Sequence, residues 1–364
     1  MKIVHVVEPF ATGINTFIYE LVFGLDNDEH IIIHGERKDT RNIDLIKKEY
    51  QGKAQFIKWK NAQRDVSFLS DFKATLELYN LLKDIDFDII HLHSSKAGVL
   101  GRIIGQIKGY DNIVYTPNGV SFLRKDISPF KNSIYKKIEW LFARLNGAII
   151  SSSISEKNAF KSINVKSRVI NNGTEVNSTS PKNNSTKTFN IVTCGKVTIQ
   201  KNPKLFNKIA KHYSDNTNIK FKWIGDGELK EELTSPNIEI TGWSSKEEVF
   251  EHLTQSTIYL STSLWEGLPF AGIEAMAYKL PLVMFNCDGN RDLVIPNKNG
   301  HLFDTVDEAI NQINNLLNNS VELESLSENA SKLYRKDYSN YKCAKNYSNL
   351  YKVIERKNSI KSEG

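Results

Sequence analysis

The 364-residue sequence predicts an α/β protein made of two doubly wound parallel-sheet domains facing a cleft. Short apolar runs alternate with longer helical patterns along the whole chain. Most of the runs are rich in Ile and Val and lack polar alternation, as expected of strands covered on both faces. The length suits two domains at roughly 100–200 residues each. A polar stretch from Asn172 to Lys187 separates the two sets of runs.

In order, the first set is Ile3–Val7, Ile31–His34, Phe87–His93, Ile113–Thr116, Ala148–Ser152 and Arg168–Asn171. The second is Phe189–Cys194, Ile219–Ile224, Ile238–Thr241, Thr257–Leu260 and Leu282–Asn286. A first domain over 1–178, a linker over 179–187 and a second domain over 188–337 follow. Apolar and aromatic residues at helical spacing, among them Tyr341, Tyr347, Leu350 and Tyr351, predict a C-terminal helix near 338–357.

Composition narrows the function. Aromatic and β-branched residues run throughout, which excludes a disordered chain. A net charge of +6 is too mild for a nucleic-acid-binding tail, and no nucleic acid partner is expected. The positive excess lies in residues 1–180, with 25 basic against 20 acidic. Cys194, Cys287 and Cys343 are widely spaced and odd in number, which reads as buried thiols in a reducing compartment. Strand one begins at once after Met1-Lys2 and ends at Glu8-Pro9, too soon for a signal peptide. No apolar run approaches the ~18 residues of a membrane span. A cytoplasmic protein is expected, with contact at the inner face of a membrane left open.

Ligands of open parallel sheets bind beyond the C-terminal ends of strands, so the loops there carry the chemistry. The stretch from Tyr259 to Ala277 reads as strand, loop and helix, with Glu266-Gly267 on the loop and Pro269 in the first helical turn. Free N–H groups near Leu268 to Ala271 would cradle an anion or a hydroxyl. Glu266 and Glu274 border the same volume, and carboxylates accept from vicinal hydroxyls. Gly195, Lys196 and Lys201 lie between a strand and a helix opened by Pro203, where two cations suit a diphosphate. Gly225-Asp226-Gly227 is a third strand-end turn, either approaching a nucleotide or simply tight. Neither G-x-G-x-x-G nor G-x-x-x-x-G-K-[ST] occurs, which argues against dinucleotide and P-loop enzymes. In the first half, Gly13 is expected in a loop before a helix from Thr16 to Leu25. His91 and His93 share one side of a strand, yet no acidic or thiolate partner is evident and no metal site is expected.

Taken together, these motifs resemble glycosyltransferase family 4 over nearly the whole chain. Glu266 to Glu274 matches its E-x7-E signature, and Gly195-Lys196 with Gln200-Lys201-Asn202-Pro203 its phosphate motif. Ile224 to Leu229, Asn172-Gly173, Val99 to Arg102 and Tyr115 to Phe122 also have counterparts. The resemblance is closest to bacterial capsule, exopolysaccharide and O-antigen enzymes. It implies the GT-B fold, a C-terminal helix crossing back to the first domain, retention of configuration, and no cofactor or required metal. Glu266, Asn118 and Lys201 become the catalytic candidates. Gly195, Lys196, Lys201, Gly267, Leu268, Pro269, Phe270 and Glu274 become the donor-binding ones, and Gly13, Ser94 and Lys96 the acceptor-side ones. The family often has His where this chain has Asn118, which hydrogen-bonds a sugar but does not titrate. The implied partners are a nucleotide-sugar donor, a lipid-linked saccharide acceptor and the inner-leaflet membrane surface. Residues 124–144 hold 6 basic and 2 acidic residues among aromatics, the form expected for docking on anionic lipid. A non-catalytic nucleotide-sugar-binding subunit and an epimerase of the same fold are the alternatives.

Overall fold

A computed structural model describes residues 1–8, 10–36, 42–63, 67–176 and 188–362. The expected linker, 179–187, lies outside the described residues. The chain divides into two compact units, Met1–Gly173 with Asn340–Gly364, and Thr174–Ser339.

In the first unit the strands are β1 (Lys2–Val7), β2 (Glu29–His34), β3 (Ala54–Lys58), β4 (Ile89–His93), β5 (Ile113–Thr116), β6 (Ala148–Ser151) and β7 (Arg168–Val169). The helices between them are α1 (Thr12–Gly24), α2 (Ile43–Glu49), α3 (Phe68–Lys83), α4 (Ser95–Lys108), α5 (Pro129–Phe142) and α6 (Ile154–Ser162). The second unit holds β8 (Phe189–Cys194), β9 (Ile219–Ile224), β10 (Ile238–Ile240), β11 (Ile258–Ser261), β12 (Leu282–Phe285) and β13 (Gly300–Phe303). Its helices are α7 (Pro203–His212), α8 (Lys246–Thr254), α9 (Phe270–Ala277), α10 (Asn290–Leu293), α11 (Val306–Asn318) and α12 (Ser320–Leu333). The last helix, α13 (Asn340–Ser362), belongs to the first unit.

Both sheets are parallel. Their orders are β3-β2-β1-β4-β5-β6-β7 and β10-β9-β8-β11-β12-β13. Strand order therefore reverses beside β1 and β4 in one sheet and beside β8 and β11 in the other, the switch points where such sheets bind ligands. In the second sheet alternate residues feed two cores. Val192, Tyr259, Leu282 and Met284 pack with α9 and α12, while Ile191, Phe221, Ile258 and Val283 pack with α7 and α11. In the first sheet Val4, Val6, Ile90 and Leu92 join an aliphatic core. The opposite face carries His5, His30, His91 and His93, all buried, with His91 and His93 against Phe17 of α1 and His91 also against Tyr347 of α13.

Three sequence expectations are corrected. The strands β3 and β13 are absent from the sequence reading, because β3 is half-exposed and β13 is short and broken by Gly300 and His301. The first helix begins at Thr12, so Gly13 sits in its opening turn and not in a loop. The polar stretch expected from Asn172 is packed as far as Val176: Thr174 N–H donates to the Tyr338 carbonyl (3.2 Å), and Val176 enters the second unit's core.

Candidate active site

Two loops of the second unit meet at its switch point. The first follows β8 and runs from Gly195 to Asn202, whose side chain caps α7 by accepting from Leu205 N–H. The second follows β11 and runs from Thr262 to Pro269. They are laced together. Leu264 N–H donates to the Gln200 carbonyl (2.8 Å), and Thr262 Oγ1 donates to the Lys201 carbonyl (2.7 Å). Gln200 Nε2 donates to the Trp265 carbonyl (2.8 Å) and to Glu266 Oε2 (3.3 Å). Lys201 Nζ donates to Glu266 Oε1 at 2.7 Å. Burial draws the Lys201 ammonium down, but the adjoining Glu266 carboxylate outweighs it and holds the group above the ordinary lysine value.

Glu266 is fixed from behind as well. Its N–H donates to the Asp288 carbonyl (3.0 Å). Gly289 lies so close that a Cβ there would stand 2.6 Å from Glu266 Cβ, at a φ of +83°. Glu274 sits on α9, and its charge reaches the Cys194 and Tyr259 side chains. Burial, joined by Glu274 and opposed by Lys201, pushes the Cys194 thiol up to about 12. Pro269 occupies the N-cap of α9, one place before the position expected of it, and Phe270 opens the helix. No side chain caps that terminus and its first turn has no acidic residue. The opening N–H groups therefore point positive charge toward the end of the loop that carries Gly267 and Leu268.

Lys196 turns elsewhere, with Nζ 3.5 Å from Glu228 Oε2, while Lys201 alone of the two lysines meets Glu266. Gly225 and Gly227 lie against the loop after β8. A Cβ on Gly225 would sit 2.3 Å from the Gly195 carbonyl oxygen, and one on Gly227 2.3 Å from that of Val197. The glycines let the two loops bond through Gly195 N–H to the Ile224 carbonyl and Val197 N–H to the Asp226 carbonyl, each 2.9 Å. Gly225→Ala, at a φ of +138°, is expected to lower stability by at least ~2 kcal/mol. Thermal denaturation should show a fall of several degrees; an unchanged melting temperature would contradict the packing.

In the first unit the candidate residues cluster at the ends of β4 and β5. Ser94 occupies the N-cap position of α4 at a φ of +74° without capping it, and its buried Oγ has no hydrogen-bond partner among the described residues. Asn118 is left-handed (φ +55°); its Nδ2 donates to the Thr116 carbonyl (3.3 Å) and its Oδ1 is buried without a partner. Glu156, which the sequence reading missed, accepts from the N–H groups of Gly119 and Val120 (2.9 Å each) and of Ser152 (2.6 Å), and so holds the Asn118 loop. Lys96 Nζ is tied to Asp71 Oδ1 at 2.7 Å. A Cβ on Gly13 would meet nothing within 4 Å.

The histidines of the first sheet form hydrogen-bonded chains. His30 Nε2 donates to the Leu25 carbonyl (3.1 Å), so in the neutral ring Nδ1 accepts from His5 Nε2 (3.1 Å). His5 Nδ1 then accepts from His93 Nε2 (3.1 Å), and His93 Nδ1 is left bare and buried. His91 meets Tyr351 Oη (2.7 Å) and Thr116 Oγ1 (2.8 Å). Ligand atoms of His5, His91 and His93 lie within 4.8 Å of one another. The hydrogen bonds account for both nitrogens of His5 and His91, and no carboxylate or thiolate belongs to this set to offset a cation's charge.

A family model described as Glycosyltransferase Family 4 matches residues 11–178, and one described as Glycosyl transferases group 1 matches residues 176–333. The chain belongs to the family 4 glycosyltransferases. An Escherichia coli UDP-Gal:alpha-D-GlcNAc-diphosphoundecaprenol alpha-1,3-galactosyltransferase is 29% identical over 327 residues, 82% of this chain and 80% of that one. The Escherichia coli O-antigen biosynthesis glycosyltransferase WbnH is 26% identical over 245 residues, 66% of this chain and 70% of its own. Among solved structures, Anabaena HepE in complex with UDP and glucose superposes with a TM-score of 0.79 at 16% identity, covering 96% of this chain and 99% of that one. The fold is GT-B, and the transferase's two parallel sheets are the two Rossmann-like halves of it.

Proposed function

We propose that this transferase moves a hexosyl or N-acetylhexosaminyl group from a nucleoside-diphosphate sugar to a lipid-linked saccharide in cell-surface polysaccharide synthesis, on the cytoplasmic side and with retention. UDP-galactose is the favoured donor, by likeness to the Escherichia coli galactosyltransferase. The observation that carries the reading is the Lys201–Glu266 pair beside the uncapped N-terminus of α9. A departing diphosphate gains negative charge. An ammonium and helix N–H groups preorganised at one place stabilise it where a metal would serve other enzymes. Glu266 holds Lys201 charged and accepts from a sugar hydroxyl, and Glu274 accepts from the ribose. The acceptor hydroxyl attacks the anomeric carbon as its bond to the diphosphate breaks, and the proton passes to the diphosphate oxygen on the same face. In the first unit, the unfilled acceptors His93 Nδ1 and Asn118 Oδ1 and the Ser94 hydroxyl suit saccharide hydroxyls.

The test is a thermal-shift titration with UDP, GDP, CMP, ADP and NAD, with and without EDTA. UDP should raise the melting temperature of the wild type in EDTA, by several degrees at saturation. Glu274→Ala should show less than a third of that shift. NAD alone shifting the protein, or an undiminished UDP shift in Glu274→Ala, would overturn the donor-site assignment.

A further inference from the structure

The helix α5 presents its apolar side outward. Phe130 is 77% exposed, Leu141 54%, Trp140 43% and Ile134 39%. Residues 130, 134, 137 and 141 fall on one stripe of an α-helix, so Phe130, Ile134 and Leu141 share a face with Lys137. Lys131 and Lys136 are exposed beside it, and the Arg144 guanidinium stacks 3.3 Å over the Trp140 ring. The side turned to the unit is the acidic one. Glu139, the helix's one carboxylate, is buried; it accepts from Tyr115 Oη (2.8 Å) and pairs with Arg102 Nη2 (3.4 Å). Asp126, just before the helix, is engaged by Arg124 through two hydrogen bonds. Lys131, Lys136 and Lys137 make no ion pair among the described residues.

We infer that the outer face of α5 is a docking surface for an anionic lipid bilayer, with Phe130, Ile134, Trp140 and Leu141 entering the interface and the lysines reading the headgroup charge. This rests on the reading of the chain as a transferase for lipid-linked acceptors, and it names the surface that brings the enzyme to them. A helix that lies in a membrane interface needs an apolar stripe flanked by cations, and this face offers both with no exposed carboxylate. A second copy is a poorer occupant, because a symmetric pairing would set Lys137 and its neighbours against their own images.

Pelleting with vesicles of phosphatidylcholine, with or without phosphatidylglycerol, tests it. The wild type should pellet with the anionic vesicles and not the neutral ones, and salt should weaken the binding. Neutralising Lys131, Lys136 and Lys137 together to Gln should reduce partitioning about a hundredfold, near fivefold per lysine. Phe130→Ser with Leu141→Ser should reduce it at least ~tenfold. Both variants should keep the wild-type melting temperature and UDP shift, since the changes are on the surface. Equal binding to both vesicle types, or variants that pellet like the wild type, would overturn the inference. So would a wild type that never pellets but forms a dimer that the two variants break. A wild type that shifts with UDP yet never pellets rejects the lipid face alone. One that pellets without any nucleotide shift upholds the face and rejects the transferase reading.

Discussion

Lys201→Ala is expected to cost this transferase both stability and turnover, through two separable effects. The side chains of Lys201 and Glu266 retain 20% and 10% of their exposure. Removing one partner of a buried pair costs about 3–5 kcal/mol, and the residual hydration here brings the expectation to about 2–3 kcal/mol. Turnover should fall further, by roughly 10²–10³, because the charge proposed to meet the leaving group is lost. Lys201→Met combined with Glu266→Gln separates the two. The neutral pair leaves no orphaned charge, so the melting temperature should recover most of its loss. Turnover should stay low, because the cation is still missing. The readouts are thermal denaturation and sugar transfer from the proposed UDP-galactose donor to a lipid-linked saccharide. Turnover within threefold of the wild type in a folded Lys201→Ala would remove Lys201 from the mechanism.

The fold and the loops after β8 and β11 are legible in sequence because their signals are local. Buried parallel strands read as apolar runs, and Asn202-Pro203 and Pro269-Phe270 mark helix starts within a few residues. What was not legible depends on partners far along the chain. Nothing in the spacing of Lys196 and Lys201 says that one faces Glu228 and the other Glu266. Nor does the sequence say that the Gly195 carbonyl lies where a Gly225 side chain would be. Glu156 gives a local signal only as a residue near a helix start, while its role in holding Gly119 and Val120 spans more than thirty positions. In the sequence the histidines stand out only as a pair, at 91 and 93. His5 and His30 join them only because β1 lies between β2 and β4, a consequence of strand order that no motif carries.

Those histidines are expected to make the first unit acid-labile. Burial pushes His5, His91 and His93 well below the ordinary histidine value, and each lies among other rings that disfavour its charge. Burial also lowers His30, although the Leu25 carbonyl and Asp28 work against it. Above the unfolded value of about 6.5 the rings are neutral in both states and stability is fully present. As pH falls through that value the unfolded chain takes up protons that the folded one refuses, so stability drops. The limit is about 1.4 kcal/mol per pH unit for each ring, or about 4 for the three deepest. Glu139 and Glu156 act in the opposite sense: burial raises both, so they favour the folded state as pH descends into the carboxylate range. Two carboxylates offset at most two protons, and the histidines begin to act at higher pH. Urea unfolding followed by circular dichroism from pH 7.5 to 5.5 should therefore show a steep loss of the first unit's stability. In His5→Gln the amide can still donate and accept within the chain of rings, and the slope should shrink by about one proton. A transition that stays flat over those two pH units would mean the imidazoles are hydrated, and the ring chain from the Leu25 carbonyl to His93 would have to be abandoned.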